Sequence, residues 1–532
     1  MREWLVPPGL ASCRNIVEVV MQLAFLFAVC LLISCVAIWL SAALASHLGI
    51  MDRPGGHKQH ETSTPFVGGF GVIAVVISMP LLGKWFFVDF SILPLPGLLV
   101  GAVAIFLTGL ADDIWCLGFK PRLLIQALVA LSMVLIGGAE LRTLGELFPG
   151  VHVELGWLSV PMAIFATIGL INALNMIDGI DGLSGSVSLV SLALAAMVAH
   201  GSGNNAHVFF IIALMGGVGG FLYYNLRYPG NRRARVFLGD NGSMLLGFLF
   251  AWLFIVQSQE AGRAAMTPVT ALWLFALPLM DTVGVMLRRI WLGKSPFRPD
   301  RHHLHHLFVR AGYRVSDVVA LAVAIQLVLG LIGIYGLLIG VPEYLMFWLF
   351  LGVFGAYFLG ILRPWRMVPW LRRINGSLGL PSVQTRGIFI GYLRKERCRE
   401  VLGVITEGLG NDYDYQVSVH QMGTSGGDEC RVYCVVHIPA EGDDPLIGRI
   451  QRDALRIKRR LAKQQGVEVR LFLGRKVEND LRTSYSAMIG GGSRRAERRG
   501  VRSTLICSME RGQRMVHNEG AGFGLSLPPG YG

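Results

Sequence analysis

The residues able to do chemistry come in short clusters. Asn172-Ala-Leu-Asn-Met-Ile-Asp-Gly-Ile-Asp-Gly182 carries two carboxylates, Asp178 and Asp181, each followed by glycine, together with two amides, Asn172 and Asn175. Asp112 and Asp113 are adjacent acids at the end of an apolar run. Such a pair can hold a divalent cation, or one member can act as a base while its neighbour raises its pKa. Phe237-Leu-Gly-Asp-Asn-Gly-Ser243 places Asp240 between Gly239 and Gly242. Backbone can approach a ligand closely there, and the helix that follows offers free N–H groups to an anion. Asp300-Arg-His-His-Leu-His-His306 sets His302, His303, His305 and His306 beside Arg301. Zinc sites on helices space their histidines differently, and the basic surroundings suit an anion such as phosphate. Lys58 and His60, in Asp52-Arg-Pro-Gly-Gly-His-Lys-Gln-His60, are further candidate phosphate contacts. An Asp next to Gly is also ordinary turn or cap chemistry. That explains one acid but not a set of them.

The elements that position these clusters follow from composition. The chain has 532 residues, 53% hydrophobic and only 16% charged, against about a quarter charged in ordinary soluble proteins. Eleven apolar runs near 19–47, 66–83, 92–111, 121–139, 157–174, 183–200, 207–226, 242–258, 268–287, 317–340 and 343–362 have the length of membrane-spanning helices. The expected fold is therefore an all-α polytopic membrane protein. The loops after odd-numbered runs hold Arg53 and Lys58, then Lys120 and Arg122, then Arg227, Arg232, Arg233 and Arg235, then Arg288 to Arg314. The loops after even-numbered runs hold only Lys84, Arg142 and Arg263. The positive-inside rule then puts the odd loops and the C-terminus in the cytoplasm and residues 1–18 outside. The net charge of +13 is explained by these loops, which excludes a nucleic-acid role for the membrane part. Eight cysteines without CxxC spacing read as reduced, packed residues rather than a disulfide frame. The first apolar run is too long, and lacks the small-residue cleavage site, for a removable signal.

Beyond residue 365 the pattern changes. Residues 366–382 read as a linker. Residues 383–475 follow the order β-α-β-β-α-β, which suggests a small ferredoxin-like cytoplasmic α/β domain. Residues 476–532, rich in Gly, Ser and Arg, read as a disordered basic tail. Nothing in this part looks catalytic.

Every acidic and histidine cluster falls on the cytoplasmic side. Capping does not predict that coincidence. Acids for a divalent cation beside a basic, His-rich rim suit a nucleoside diphosphate with its metal, and their place at the membrane boundary suits a lipid as second substrate. Asp281, inside the ninth run, is a further intramembrane acid of the same region. A transporter of a nucleotide sugar or anion is the competing class. Carriers place acids near the midplane and show internal repeats, and no repeat is visible here.

The four motifs at Asp112-Asp113, Asn172–Gly182, Phe237–Ser243 and Asp300–His306 resemble those of the polyprenyl-phosphate N-acetylhexosamine-1-phosphate transferases, glycosyltransferase family 4. His303-Leu-His-His306 and the Met-Ile-Asp-Gly-Ile-Asp-Gly core look closest to the bacterial branch that uses UDP-GlcNAc and undecaprenyl phosphate. The resemblance covers about residues 20–365, within a transmembrane transferase domain of 19–365. It implies an inner-membrane enzyme with its active site facing the cytoplasm, starting a lipid-linked surface glycan such as O-antigen. It implies Mg²⁺, with Mn²⁺ as alternative, on Asp240 and Asn225. Asp112 and Asp113 would act on the lipid phosphate. Asn172, Asn175, Asp178 and Asp181 would line the nucleotide side, and Arg301 with His302, His303, His305 and His306 would bind the pyrophosphate or sugar phosphate. The implied partners are a UDP-N-acetylhexosamine, undecaprenyl phosphate and membrane lipid, with a homodimer left open.

Overall fold

A computed structural model describes residues 8–48, 64–86, 95–229, 231, 233–259, 264–296, 302–378, 384–393, 404, 407, 416–422, 431–440, 456–457, 459–461, 468–472, 503–510 and 516–517. The apolar runs are its helices: α1 (Pro8–Leu48), α2 (Gly68–Trp85), α3 (Leu95–Trp115), α4 (Phe119–Leu135), α5 (Ser159–Ile177), α6 (Leu183–Gly201), α7 (Asn205–Asn225), α8 (Gly239–Gln259), α9 (Pro268–Leu274), α10 (Ala276–Trp291), α12 (Val315–Leu338) and α13 (Glu343–Leu362). A short helix, α11 (Leu304–Arg310), precedes α12, and α14 (Pro364–Ser377) follows α13. Helix α1 thus begins inside the stretch read as an external segment, and α14 occupies much of the stretch read as a linker.

Among the described residues, nine helices are long and apolar enough to cross a membrane, or ten if α9 and α10 form one broken span. The protein is a multi-pass membrane protein. Eleven spans were expected, and the difference is α4. With 17 residues it extends about 25 Å at 1.5 Å per residue, short of a hydrocarbon core of roughly 30 Å.

Helix α8 is the axis of the membrane unit. It packs on α2, α3 and α5, and nearly all its side chains are buried, Phe248 and Trp252 completely. In lipid, helices associate by close packing rather than by hydrophobicity, and small residues let backbones meet. Gly109 of α3 does this where it meets the first turn of α8. A Cβ there would sit 2.5 Å from the Asn241 amide nitrogen.

Helices α9 and α10 meet at 86°. A break at membrane depth frees backbone groups that must find partners inside the protein. Gln326 of α12, fully buried, supplies both: its Oε1 accepts the Leu277 N–H at 2.9 Å, and its Nε2 donates to the Leu274 carbonyl at 2.8 Å. The hairpin of β1 (Thr143–Phe148) and β2 (Val151–Glu154) joins α4 to α5. It is held by Gln259, whose Oε1 accepts the Arg142 and Thr143 amides and whose Nε2 donates to the Thr143 carbonyl.

The chain divides into two compact units, Met1–Ala311 with Val315–Arg373, and Gly312–Arg314 with Ile374–Gly532. The second contains a six-stranded antiparallel sheet of β3 (Gln384–Leu393), β4 (Gln416–Met422), β5 (Arg431–Ala440), β6 (Glu468–Phe472), β7 (Ser503–Glu510) and β8 (Val516–His517), in the order β6-β3-β5-β4-β7-β8. The first four strands are those expected from the pattern. Of the two helices expected in that β-α-β-β-α-β order, only 404, 407, 456–457 and 459–461 are described, as helix. Strand β7 lies within the stretch read as a disordered tail and pairs with β4. Its sequence, Ser-Thr-Leu-Ile-Cys-Ser-Met-Glu, is an apolar island whose strand pattern is hidden by the Arg- and Gly-rich residues before it.

Gln326→Leu leaves the Leu277 N–H and Leu274 C=O unpaired in a dry interior, at about 1–3 kcal/mol for each group. Thermal unfolding in detergent should show a clear fall in Tm for this variant. An unchanged Tm would mean that the break does not depend on the clamp.

Candidate functional site

The last turn of α3 delivers two acids to the first turn of α8, where they do different things. Asp113 accepts the Asp240 N–H at 2.9 Å, the Asn241 N–H at 3.1 Å and the Asn241 Nδ2 at 2.5 Å. A helix begins with amides that its own turns cannot satisfy, and a carboxylate there also meets the positive end of the helix dipole. Asp113 is thus an N-cap supplied by a different helix. Asn241, fully buried, also donates to the Phe66 carbonyl at 3.0 Å, which ties in the segment before α2.

Asp112, also buried, faces the other way. It pairs with Arg122 of α4 and lies within hydrogen-bond reach of Asp240, and Arg122 Nη1 is 3.6 Å from Asp240 Oδ2. Asn175 of α5 donates through Nδ2 to Asp240 Oδ1 at 2.6 Å and to Ser243 Oγ at 2.9 Å. Four helices therefore each bring a polar group to one point: Asp112, Arg122, Asn175 and Asp240. Among the described residues no group of three or more His, Cys, Asp or Glu side chains is arranged to hold a metal. The facing carboxylates of Asp112 and Asp240 are the charged oxygen donors at this point among the described residues. They match the habit of Mg²⁺, which takes one or two carboxylates and leaves its other positions to water and substrate phosphates.

The sequence marks Arg122 only as a topological charge, because nothing in its spacing links it to acids ten residues earlier. Asn172 is not joined to the carboxylates. Its Nδ2 donates to Gln126 Oε1 and to the Ile168 carbonyl, both at 2.8 Å, and it fastens α5 to α4.

The loop between α5 and α6 holds Asp178 and Asp181. Asp178 is half-buried and accepts from Ser184 Oγ at 2.5 Å. Burial pushes its carboxyl up to about 7, and the charges of Asp113 and Asp181 add to the rise. Asp181 accepts Arg227 Nε at 2.8 Å and the Ala234 N–H at 3.2 Å, so it braces the loop against the segment before α8. Asn225 does the same. Its Oδ1 accepts the Gly182 N–H at 2.6 Å and its Nδ2 donates to the Val236 carbonyl at 2.8 Å. The resemblance implies a metal ligand at this position, and in the structure both ends of the Asn225 amide serve the backbone.

The histidines meet this loop. His303 and His305 are buried, their rings stacked with centroids 5.8 Å apart and planes 11° from parallel, and His306 lies 4.2 Å from His305. The His305 ring lies over Gly179, where a Cβ would come within 2.7 Å of its Cε1. Among the described residues neither His305 nitrogen has a hydrogen-bond partner, and burial, aided by His306, lowers its pKa to about 3. The ring is neutral, and its polar atoms are unused. His302 opens the stretch that leads into α11. Lys58, His60 and Arg301 lie outside the described residues.

Residues 95–258, from α3 to α8, match the family model described as glycosyl transferase family 4. A Yersinia pestis protein named undecaprenyl-phosphate alpha-N-acetylglucosaminyl 1-phosphate transferase is 35% identical over 363 residues, which are 68% of this chain and 96% of the relative. A Haemophilus influenzae protein of the same name is 36% identical over 333 residues, 62% of this chain and 92% of that one. An Escherichia coli K12 protein, also so named, is 34% identical over 338 residues, with 63% and 90% covered. With the cluster of Asp112, Asp240 and Asn175 in place and relatives matched along nearly their whole length, the chain belongs to glycosyl transferase family 4.

Proposed function

We propose that this protein transfers N-acetylglucosamine 1-phosphate from UDP-GlcNAc to undecaprenyl phosphate, releasing UMP. The observation that carries the reading is the meeting of Asp112 and Asp240, from α3 and α8, with Arg122 at their side. Two acids and one fixed cation at the ends of membrane helices form a place for a phosphate that arrives on a lipid and a pyrophosphate that arrives from water. An oxygen of the lipid phosphate attacks the β-phosphorus. The bond from that phosphorus to the bridging oxygen breaks, and UMP leaves with the electron pair. Asp112 and Asp240 would hold Mg²⁺, or Mn²⁺. Such an ion neutralises phosphate charge when bound. Arg122 orients the incoming anion and offsets its charge. Asp113 holds no substrate and fixes the first turn of α8, so that Asp240 points at Asp112. Asn175 orients Asp240. The 178–182 loop and the histidines form the nucleotide and sugar-phosphate wall, with Lys58, His60 and Arg301 as further phosphate contacts.

The site faces the cytoplasm on the charge bias of the loops. The transporter reading loses ground, since the matched relatives carry transferase names. In the second unit, β3 and β4 run parallel with the antiparallel β5 between them and β6 beside β3. That is the split βαβ arrangement, and it supports the ferredoxin-like reading.

Asp240→Asn, which keeps shape but removes charge, should lower UMP release from UDP-GlcNAc about 100-fold or more with its Tm retained. Asn225→Ala should instead lower Tm, with any surviving activity keeping the parent's dependence on divalent cation. Parent-like turnover of Asp240→Asn, or an altered cation requirement in Asn225→Ala, would reverse these two assignments.

Asp178 gives a pH signature. Unfolded, it loses its proton near pH 4, whereas folded it keeps it to about 7. Its contribution to stability is therefore present at low pH and lost as pH rises between those values. Asp178→Asn, which has no proton to lose, should gain Tm over the parent at pH 8 and much less at pH 5, without substrate. Equal differences at both pH values would show that Asp178 ionises normally.

A further inference from the structure

Asp281 is an acid that the proposed reaction does not use. It lies in α10 just past the break, within the membrane region, and is 1% exposed. Its environment is fully occupied. Oδ2 is 3.0 Å from His303 Nδ1, while Oδ1 accepts the Leu304 N–H at 2.9 Å and the Tyr357 O–H at 2.6 Å. The partners come from the segment before α11, from the first residue of α11 and from α13. Gly284, one turn along α10, makes room for the Tyr357 ring. A Cβ there would meet its Cε1 at 3.1 Å.

An ionised side chain at this depth is costly, and it persists where function holds it. Capping α11 alone requires no carboxylate there, since Ser, Thr or Asn caps a helix as well. The bond to His303 gives the charge a purpose. With Nδ1–H donated to Asp281, the imidazole is held in one tautomer and presents Nε2 as an acceptor. His303 in turn stacks on His305, whose ring lies over Gly179.

We propose that Asp281 and Tyr357 are positioning residues. They fix the tautomer and orientation of His303 and, through it, the histidine stack against the 178–182 loop. Tyr357 makes α13 part of the device, so the last long apolar helix reports to the site without touching substrate. The proposal rests on the reading of the histidines as part of the substrate wall.

The test is a double-mutant cycle on the purified full-length protein in detergent, measuring kcat and KM for UDP-GlcNAc together with Tm. Asp281→Asn is expected to lower kcat about 10- to 100-fold, as the loss of a group that orients a functional histidine does elsewhere. In the His303→Ala background the same change should cost less than about 2-fold, because the residue it acts through is gone. A merely structural role would instead give multiplicative losses that follow Tm, and that result overturns the proposal. So does parent-like kcat in Asp281→Asn. Should Asp281→Asn fail to fold, Tyr357→Phe serves in the same cycle, with a smaller loss of kcat that vanishes in His303→Ala. Retained turnover in His303→Ala overturns both this proposal and the underlying reading of the histidines. Loss in His303→Ala with none in Asp281→Asn and Tyr357→Phe overturns this proposal alone.

Discussion

The capping of α8 by Asp113 is the interaction on which the rest of the site depends. A helix buried in a membrane protein starts with amides that neither its own turns nor lipid can satisfy. Here a carboxylate from α3 accepts two of them, and Gly109 one turn earlier lets the two backbones come close enough for it to do so. The bond also fixes a register. Asp113 and Asp112 are neighbours, and so are the amides of Asp240 and Asn241. Seating one acid on the amides brings the other within reach of the Asp240 side chain.

That arrangement costs energy by itself. Two carboxylates that face each other, one buried and one half-buried, repel and are incompletely hydrated. Arg122 offsets part of this, and Asn175 adds a donor. One guanidinium against two carboxylates leaves an excess of negative charge at the mouth of the bundle. A divalent cation held there would reverse the sign and would let the same point accept phosphates. In the proposed reading the acids would hold such a cation, which would offset the charge of two anionic substrates that otherwise repel the acids and each other.

Much of this was legible in the sequence, and what was missed has a physical cause. The apolar runs give the helices because membrane burial writes itself as composition over about twenty residues. The adjacent acids at 112 and 113, the Asp240 turn and the His303–His306 run stand out because each places polar groups where lipid-facing sequence excludes them. What the pattern could not give is the partner of each group. Asp113 and Asp112 look alike on paper, yet one is a cap and the other pairs with Arg122 beside Asp240. The family resemblance implies a ligand at Asn225, and nothing in the pattern says that the carbonyl of Val236 and the amide of Gly182 engage its amide. Arg122 looks like a topological charge, but the fold of α3 against α4 turns it to Asp112. Each of these depends on contacts between residues distant in the chain or on different helices, which periodicity does not encode. Strand β7 was missed for a different reason, since composition averaged over a long basic stretch hides a short apolar one.

The division between satisfied and unsatisfied groups then separates frame from site. Asp113, Asp181, Asn172 and Asn225 spend their hydrogen-bonding capacity on backbone or on neighbouring side chains, and they immobilise the ends of α5, α6 and α8. His305 is different. It is buried and neutral, with both ring nitrogens unpaired among the described residues, beside a loop that is braced on its other side. A buried polar atom without a partner costs about 1–3 kcal/mol. A fold that carries that cost against a rigid wall gains it back when a ligand supplies the missing partner. The polar atoms of a sugar phosphate or nucleotide are groups of that kind. Binding there would stabilise the histidine stack instead of having to assemble it.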